Sequence, residues 1–235
     1  HGVSLGLASS APVEKKRLEK MARLIDDVKA EYWSEHLAFV RGGGLEIGHL
    51  AAPPRTDSNI EGTLRNLLLA KAIVGTLPQV ENVATLIDPP GSDYDEATWV
   101  SSILRDSNCD FLLDLHNLYA NAVNFGFDPF HFISQIPSDK IATIHLAGGK
   151  WISGGGRDGI PRGKRLLDDH LHDVPEILYS LLVEVAASTE KPLTVILERD
   201  GDFPPVESLL AQLDRAREAL RLGRTKRSEC TLLMK

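Results

Sequence analysis

The sequence predicts an α/β fold: a TIM-barrel-like parallel (β/α) arrangement, incomplete, with about six of the eight strands present. Three observations predict it. Short apolar runs that read as strands alternate with helix-like stretches along the whole chain. No repeat, linker or shift of composition divides the 235 residues, which suit one large domain. Finally, most of the apolar runs end on an acid or a histidine, and the strand C-termini of a parallel barrel converge on one face.

The first strand is read at Gly2–Leu7, before a helix over Val13–Ala30 that carries Met21, Leu24, Ile25 and Val28 at helical spacing. Tyr32–Phe39 is the second strand. A loop with Gly42-Gly43-Gly44 and Pro53-Pro54 leads to a helix near Ser58–Gly75, started by an Asp/Ser/Asn cluster. Gln79–Val83 is the third strand, Glu96–Asp106 a helix, and Asp110–Leu115 the fourth strand. A short helix near Pro129–Gln135 precedes the fifth strand, Lys140–Leu146, and a long loop follows it. A helix near Val174–Ala187, a sixth strand at Leu193–Glu198 and a helix from Pro205 to Arg221 complete the pattern. Residues 1–222 are therefore expected to form a single barrel-type domain, with residues 223–235 as a frayed tail. Six units fall two short of a closed barrel, and His1 opens directly into a strand, so the expectation is a barrel whose first two units are missing.

Composition narrows the function. With 26 basic against 33 acidic residues the net charge is −7, which argues against a nucleic-acid surface. No run approaches the roughly 18 apolar residues of a membrane span, and no signal peptide is visible. Cys109 and Cys230 form no CxxC or disulfide framework, which points to the reducing cytoplasm, and Cys109 reads as a small core residue. Gly42-Gly43-Gly44 and Gly154-Gly155-Gly156 lack the order of a phosphate or dinucleotide loop, so no nucleotide cofactor is expected. The absence of a GxSxG elbow and of an evident Cys–His pair gives nucleophilic catalysis little support.

The chemistry lies at the strand ends. His1, Glu35-His36, Glu81, Asp114 with His116, His145, and Glu198 with Asp200 each sit where an apolar run starts or stops. Asp168 and His170 form a further pair two apart, the spacing that places side chains on one face of a strand. Glu35 and His36 are adjacent and point to opposite sides. His36 is the inward candidate, leaving Glu35 for a supporting bond or a structural ion pair. A lone histidine or acid is normally a satisfied core or surface group, and His49 and His131 are read that way; His172 is read as either a supporting group or solvent-exposed. Taken together, many buried polar groups without partners would be costly, so a metal centre is the economical reading. Mixed imidazole and carboxylate donors suit iron, manganese or zinc. The loop Lys150–Arg165, with Lys150, Arg157, Arg162, Lys164 and Arg165, reads as a solvated flexible loop, with a lid or a cationic guide as the alternative.

The same strand-end motifs resemble, in order, the DUF692 (UPF0276) family of multinuclear non-haem iron-dependent oxidative enzymes. The matching stretches are His1-Gly-Val-Ser-Leu5, Ser34-Glu-His-Leu-Ala-Phe39, Glu81-Asn-Val83, Leu113-Asp-Leu-His-Asn-Leu-Tyr119 and Asn124-Phe-Gly-Phe-Asp-Pro129. Ile144-His-Leu-Ala-Gly148, Asp168-Asp-His170 through Val174-Pro175, and Leu197-Glu-Arg-Asp200 continue the series over nearly the whole chain. The resemblance implies a TIM-barrel oxidoreductase with two or three iron ions, other divalent metals being possible, and dioxygen as co-substrate. It also implies a cysteine-containing, ribosomally made precursor peptide as substrate and a partner protein that presents it. Carried over by motif, Glu81, Asp114, His145 and Glu198 hold one iron. His1 and His36 hold a second that Glu81 bridges, and Asp168 and His170 with His116 form the third site. Two positions depart from the family pattern: Asn is usual where His116 stands, and His where Gly149 stands. No catalytic residue is assigned beyond the metal set. Two other readings remain: a divalent-metal barrel of sugar-isomerase or endonuclease type, and a peptide-binding remnant without activity.

Overall fold

Parallel strands need crossover connections, and in the computed structural model, which describes residues 1–154 and 162–233, helices supply most of them. In chain order the elements are α1 (Lys15–Val28), β1 (Ser34–His36), β2 (Phe39–Gly42), β3 (Leu45–Ala51), α2 (Asp57–Val74), β4 (Gln79–Glu81) and α3 (Glu96–Ser107). They continue with β5 (Phe111–Asp114), α4 (Leu115–Phe125), α5 (Pro129–Gln135), β6 (Ile141–Leu146), β7 (Gly149–Gly154), β8 (Arg162–Asp168), α6 (Glu176–Ser188), β9 (Thr194–Leu197) and α7 (Val206–Leu233). Five strands form a parallel sheet in the order β1-β4-β5-β6-β9, as expected for an α/β chain of barrel type, and the barrel is not closed. Two antiparallel strand pairs, β2–β3 and β7–β8, stand outside that sheet. No helix among the described residues is long and apolar enough to cross a membrane.

The chain folds as two compact units. The first comprises His1–Val83, Ile87–Leu112 and Gln135–Ala142. In it β1 and β4 pair with Ser34 opposite Gln79 and His36 opposite Glu81, so the register alone sets a histidine beside an acid. The segment Gly2–Leu7, expected as a strand, is not one: only Gly2 bridges to Glu35, its N–H donating to the Ser34 carbonyl at 2.8 Å. The reason is local. Gly6 turns the chain with φ +69°, and the Leu5 N–H bonds the Glu35 carboxylate at 3.4 Å instead of a neighbouring strand. Leu5 and Leu7 still enter the core, beside Leu18, Leu67 and Phe111. One carboxamide fastens the following loop: Asn66 donates to the carbonyls of Leu7, Ser9 and Ala11, and its oxygen accepts from the Val13 N–H at 2.9 Å.

Side-chain caps set the helix starts here. Thr56 accepts from the Asn59 N–H and Asp95 from the Thr98 N–H, relieving orphan donors that cost about 1 kcal/mol each when a cap is lost. The loop expected after Phe39 is instead the β2–β3 hairpin, whose turn residues Gly43 (φ +58°) and Gly44 (φ +82°) take the positive φ values that suit tight hairpins. Cys109 is buried, as expected of a core residue.

The second unit comprises Ala84–Leu86, Leu113–Ser134 and Thr143 onward. There β6 and β9 pair in parallel from Thr143 opposite Thr194 to Leu146 opposite Leu197. Asp114 ends its strand and at once caps α4, accepting the Asn117 N–H at 2.6 Å. The sequence pattern missed this helix because the apolar run carries straight into it. The ends of the loop expected after β6 are the paired strands β7 and β8, with Gly149 opposite Asp168 and Ile152 opposite Arg165. Gly155, Gly156 and Arg157 lie outside the described residues. The last helix does not stop at Arg221 but continues through Gly223 to Leu233. Gly223 reads in sequence as a stop, yet it is where α7 crosses α6: a Cβ there would collide with the Val183 carbonyl. Tyr179 under the Arg215 guanidinium, 4.1 Å from the ring centroid, joins the same two helices.

Candidate metal centre

Acid–histidine groups within each unit collect the predicted residues. In the first unit the donor atoms of His1, His36 and Glu81 lie within 4.8 Å of one another. One carboxylate oxygen, Glu81 Oε2, meets both rings, at 3.0 Å from His1 Nε2 and 3.1 Å from His36 Nε2. The far edge of each ring is fixed by hydrogen bonds. His36 Nδ1 bonds the Gly2 carbonyl at 2.9 Å and His1 Nδ1 bonds Ser34 Oγ at 2.7 Å. The rings tilt against each other with centroids 4.6 Å apart. Burial pushes the His36 pKa down, but the Glu35 hydrogen bond, the Glu81 charge and the Gly2 carbonyl outweigh it and leave it raised.

Glu35 faces away from this group, as its adjacency to His36 requires, and is buried beneath Gly2. A Cβ at position 2 would strike Glu35 Oε2, so glycine is needed for this close approach. Ser34 was not singled out from the sequence. Its position two before His36 on β1 is the signal that would have found it.

In the second unit Asp114, His170 and Glu198 bring donor atoms within 4.8 Å of one another. Glu198 lies between two imidazoles, 3.1 Å from His145 Nδ1 and 3.3 Å from His170 Nδ1. Asp168 likewise meets two, His116 Nδ1 at 2.6 Å and His170 Nε2 at 3.1 Å. Asp200 is 3.6 Å from His170 but largely exposed. Burial raises the Asp168 pKa, yet hydrogen bonds from His116 and His170 and the charges of both rings outweigh it, lowering it to about 2. For His170, burial acts downward while the Asp168 hydrogen bond and charge, with those of Asp114 and Glu198, lift it to about 9.

Period-two spacing does not account for these contacts. His116 is not on the strand with Asp114 but in the first turn of α4. His170 sits beyond β8 in a left-handed conformation, φ +53°, pinned by the Asp200 N–H donating to its carbonyl at 3.0 Å. Arg199 holds the loop after β9 by donating to the Gly201 carbonyl at 2.7 Å and the Asp202 carbonyl at 2.5 Å. His49 and His131 are exposed and outside both groups, and half-exposed His172 pairs with Asp169 at 2.9 Å.

These donor sets fit a transition metal: imidazoles and carboxylates in the right number, largely withdrawn from water, with several acid oxygens and ring nitrogens converging. Residues 1–221 match the family model described as RiPP precursor modification enzyme MbnB/TglH/ChrH. The chain belongs to that family. A UPF0276 protein of Streptomyces avermitilis is 34% identical over 96% of this chain and 46% of its own length. Another from Caulobacter vibrioides is 31% identical over 95% of this chain and 76% of its own. This member of the MbnB/TglH/ChrH family thus spans about half the length of the first relative and about three quarters of the second. Among solved structures it is similar to an L-ribulose 3-epimerase, with a TM-score of 0.53 and 14% identity, covering 100% of this chain and 77% of that one. At that identity the likeness concerns the fold alone, which is of TIM-barrel type.

Proposed function

We propose that this chain is an iron- and dioxygen-dependent enzyme that oxidatively modifies cysteine residues of a ribosomally made precursor peptide presented by a partner protein in the cytoplasm. Family membership supports the peptide substrate. The observation that carries the metal reading is the convergence of acids and imidazoles, with donor atoms within 4.8 Å of one another. His1, His36 and Glu81 hold one ion; Asp114, His145, His170 and Glu198, with Asp168 and His116 beside them, serve the second centre and any third ion. Residues 1–222 act as one catalytic domain.

Iron, when bound, supplies the means of moving electrons from a peptide thiolate to dioxygen. The chain's own residues do the rest. Ser34 and the Gly2 carbonyl orient the two rings of the first group, and buried Glu81 balances cationic charge there. Buried His145 and half-buried Glu198 limit the access of water to the second group. The test is to purify the protein without oxygen, reconstitute it with ferrous iron and count the metal. At least about one tightly held iron per chain is expected, cut by the variants His36→Ala and Glu198→Ala; a wild-type chain holding clearly less overturns the reading.

A further inference from the structure

A strand with a neighbour on one side only turns the N–H and C=O of every second residue outward, open to pairing with another chain. Among the described residues β7 is such a strand, paired with β8 alone. One side chain shows which of its residues face outward. Asn124, on α4, accepts from the Leu166 N–H at 2.9 Å and donates to the Leu166 carbonyl at 2.9 Å, so Leu166 directs both backbone groups away from β7. Residues directly opposite in an antiparallel pair alternate between exchanging both bonds and turning both groups outward. Trp151, opposite Leu166, therefore presents its N–H and C=O at the outer edge of β7. Gly149, opposite Asp168, and Ser153, opposite Lys164, do the same by alternation. Among the described residues no backbone group outside the pair bonds to any of the three. Asn124 thus closes the outer edge of β8 at Leu166, and β7 is the open one.

Resting on the peptide-substrate reading above, we propose that the precursor peptide docks on the free edge of β7, as an extended, acidic stretch that adds a third, antiparallel strand to the β7–β8 pair. The side chains beside that edge set the chemistry of the stretch. Trp151 is 52% exposed and offers a large aromatic surface on the face where Leu166 is buried. Ser153 and Lys164 stand opposite each other on the same face, and both are exposed. Lys150, on the other face, is held by Asp169 at 3.5 Å, and Arg165 by the Asn124 carbonyl and the Phe125 ring. Lys164 has no acid partner among the described residues and reaches the edge across the small Ser153. A peptide acid on this face meets Lys164, and an apolar side chain two residues further on meets Trp151. An antiparallel peptide runs from Ser153 toward Gly149. It leaves β7 where Gly149 lies opposite Asp168 and against the His116 ring, so its cysteine follows the paired stretch toward the second acid–histidine group.

The probe is a phage-displayed library of short random peptides, each with a cysteine toward its C-terminal end, panned on the full chain kept without oxygen. The enriched peptides are then synthesised and their affinities measured by fluorescence anisotropy. They are expected to carry an acid and an apolar residue two apart ahead of the cysteine. Methylating their backbone nitrogens one at a time should weaken binding about tenfold at every second residue and little between, the alternation that strand pairing produces. Trp151→Ala should weaken binding about 10- to 30-fold, as loss of an aromatic anchor does. Trp151→Pro also removes the outward N–H while sparing the bonds to β8, and should cost about a further tenfold. Lys164→Glu should weaken acidic peptides by about fivefold. All three variants are expected to keep the wild-type iron count. Enriched peptides that bind Trp151→Pro and Lys164→Glu as tightly as the wild type overturn the proposal. So does a methylation scan without alternation, or a library from which nothing is enriched. Self-association of the wild type that Trp151→Pro abolishes gives the edge to a second copy of the chain and overturns it as well. A chain that holds no iron fails the metal reading, and bound peptides whose cysteine is never oxidised fail the proposed chemistry; both results are distinct from loss of pairing at β7.

Discussion

The two acid–histidine groups solve one problem with different materials. In the first unit the rings are steered by a backbone carbonyl and a hydroxyl, Gly2 and Ser34, and a single acid, Glu81, serves both. In the second unit the steering is done by carboxylates, with Asp168 and Glu198 each between two imidazoles. Carboxylates hold protons on rings in both groups, but Glu35 and Glu81 only raise His36, whereas Asp168, Asp114 and Glu198 lift His170 to about 9. The second group should therefore couple metal binding to pH far more strongly than the first.

Glu81→Gln removes the first group's shared acid and is the largest expected effect. The first group's affinity should fall by more than the roughly 10- to 100-fold typical of an orienting residue, read by isothermal titration. Next comes pH. Because His170 holds its proton up to about 9, a cation entering the second group at pH 7 displaces that proton. Its affinity should rise by about tenfold per pH unit toward 9, measurable as proton release in buffers of different ionisation heat.

Folding stability of the metal-free protein moves the other way. The raised His170 contributes fully below 6.5 and is lost as pH rises through about 9; the lowered Asp168 contributes above 3.8 and is lost as pH falls through about 2. Melting curves taken between pH 6.5 and 9 should thus fall while zinc affinity climbs. If the two slopes share a sign, the contrast between the groups is wrong.

Gly149→Ala puts a methyl against the Leu167 carbonyl and the His116 ring, and should cost about 1–3 kcal/mol in thermal unfolding. Ser34→Ala is the mildest: it releases His1 Nδ1 and should weaken the first group alone by about tenfold, the low end for an orienting partner.

Much of this was legible in the sequence where a residue's role followed from strand ends. His36 beside Glu81 follows from two apolar runs that pair in register, and Glu35 on the opposite side follows from alternation. The losses came where chain direction changes. The two-residue spacing of Asp114 and His116 predicts a shared strand face, but Asp114 caps a helix and His116 lies in its first turn. The glycines and basic residues around β7 and β8 predict a loop, yet these strands pair, and β8 delivers Asp168. Gly223 looked like a stop and is a helix crossing, since its function depends on a neighbour that local pattern does not reveal.

Asp114 belongs to the second group and, through Oδ1, also starts α4. An alanine scan at this position would confuse two losses, a vacant coordination position and a frayed first turn. Asparagine caps helices as well as aspartate does, so Asp114→Asn would separate them. Whatever α4 reports about an arriving cation, in hydrogen exchange at the Asn117 amide for instance, reaches it through one carboxylate shared between helix initiation and coordination.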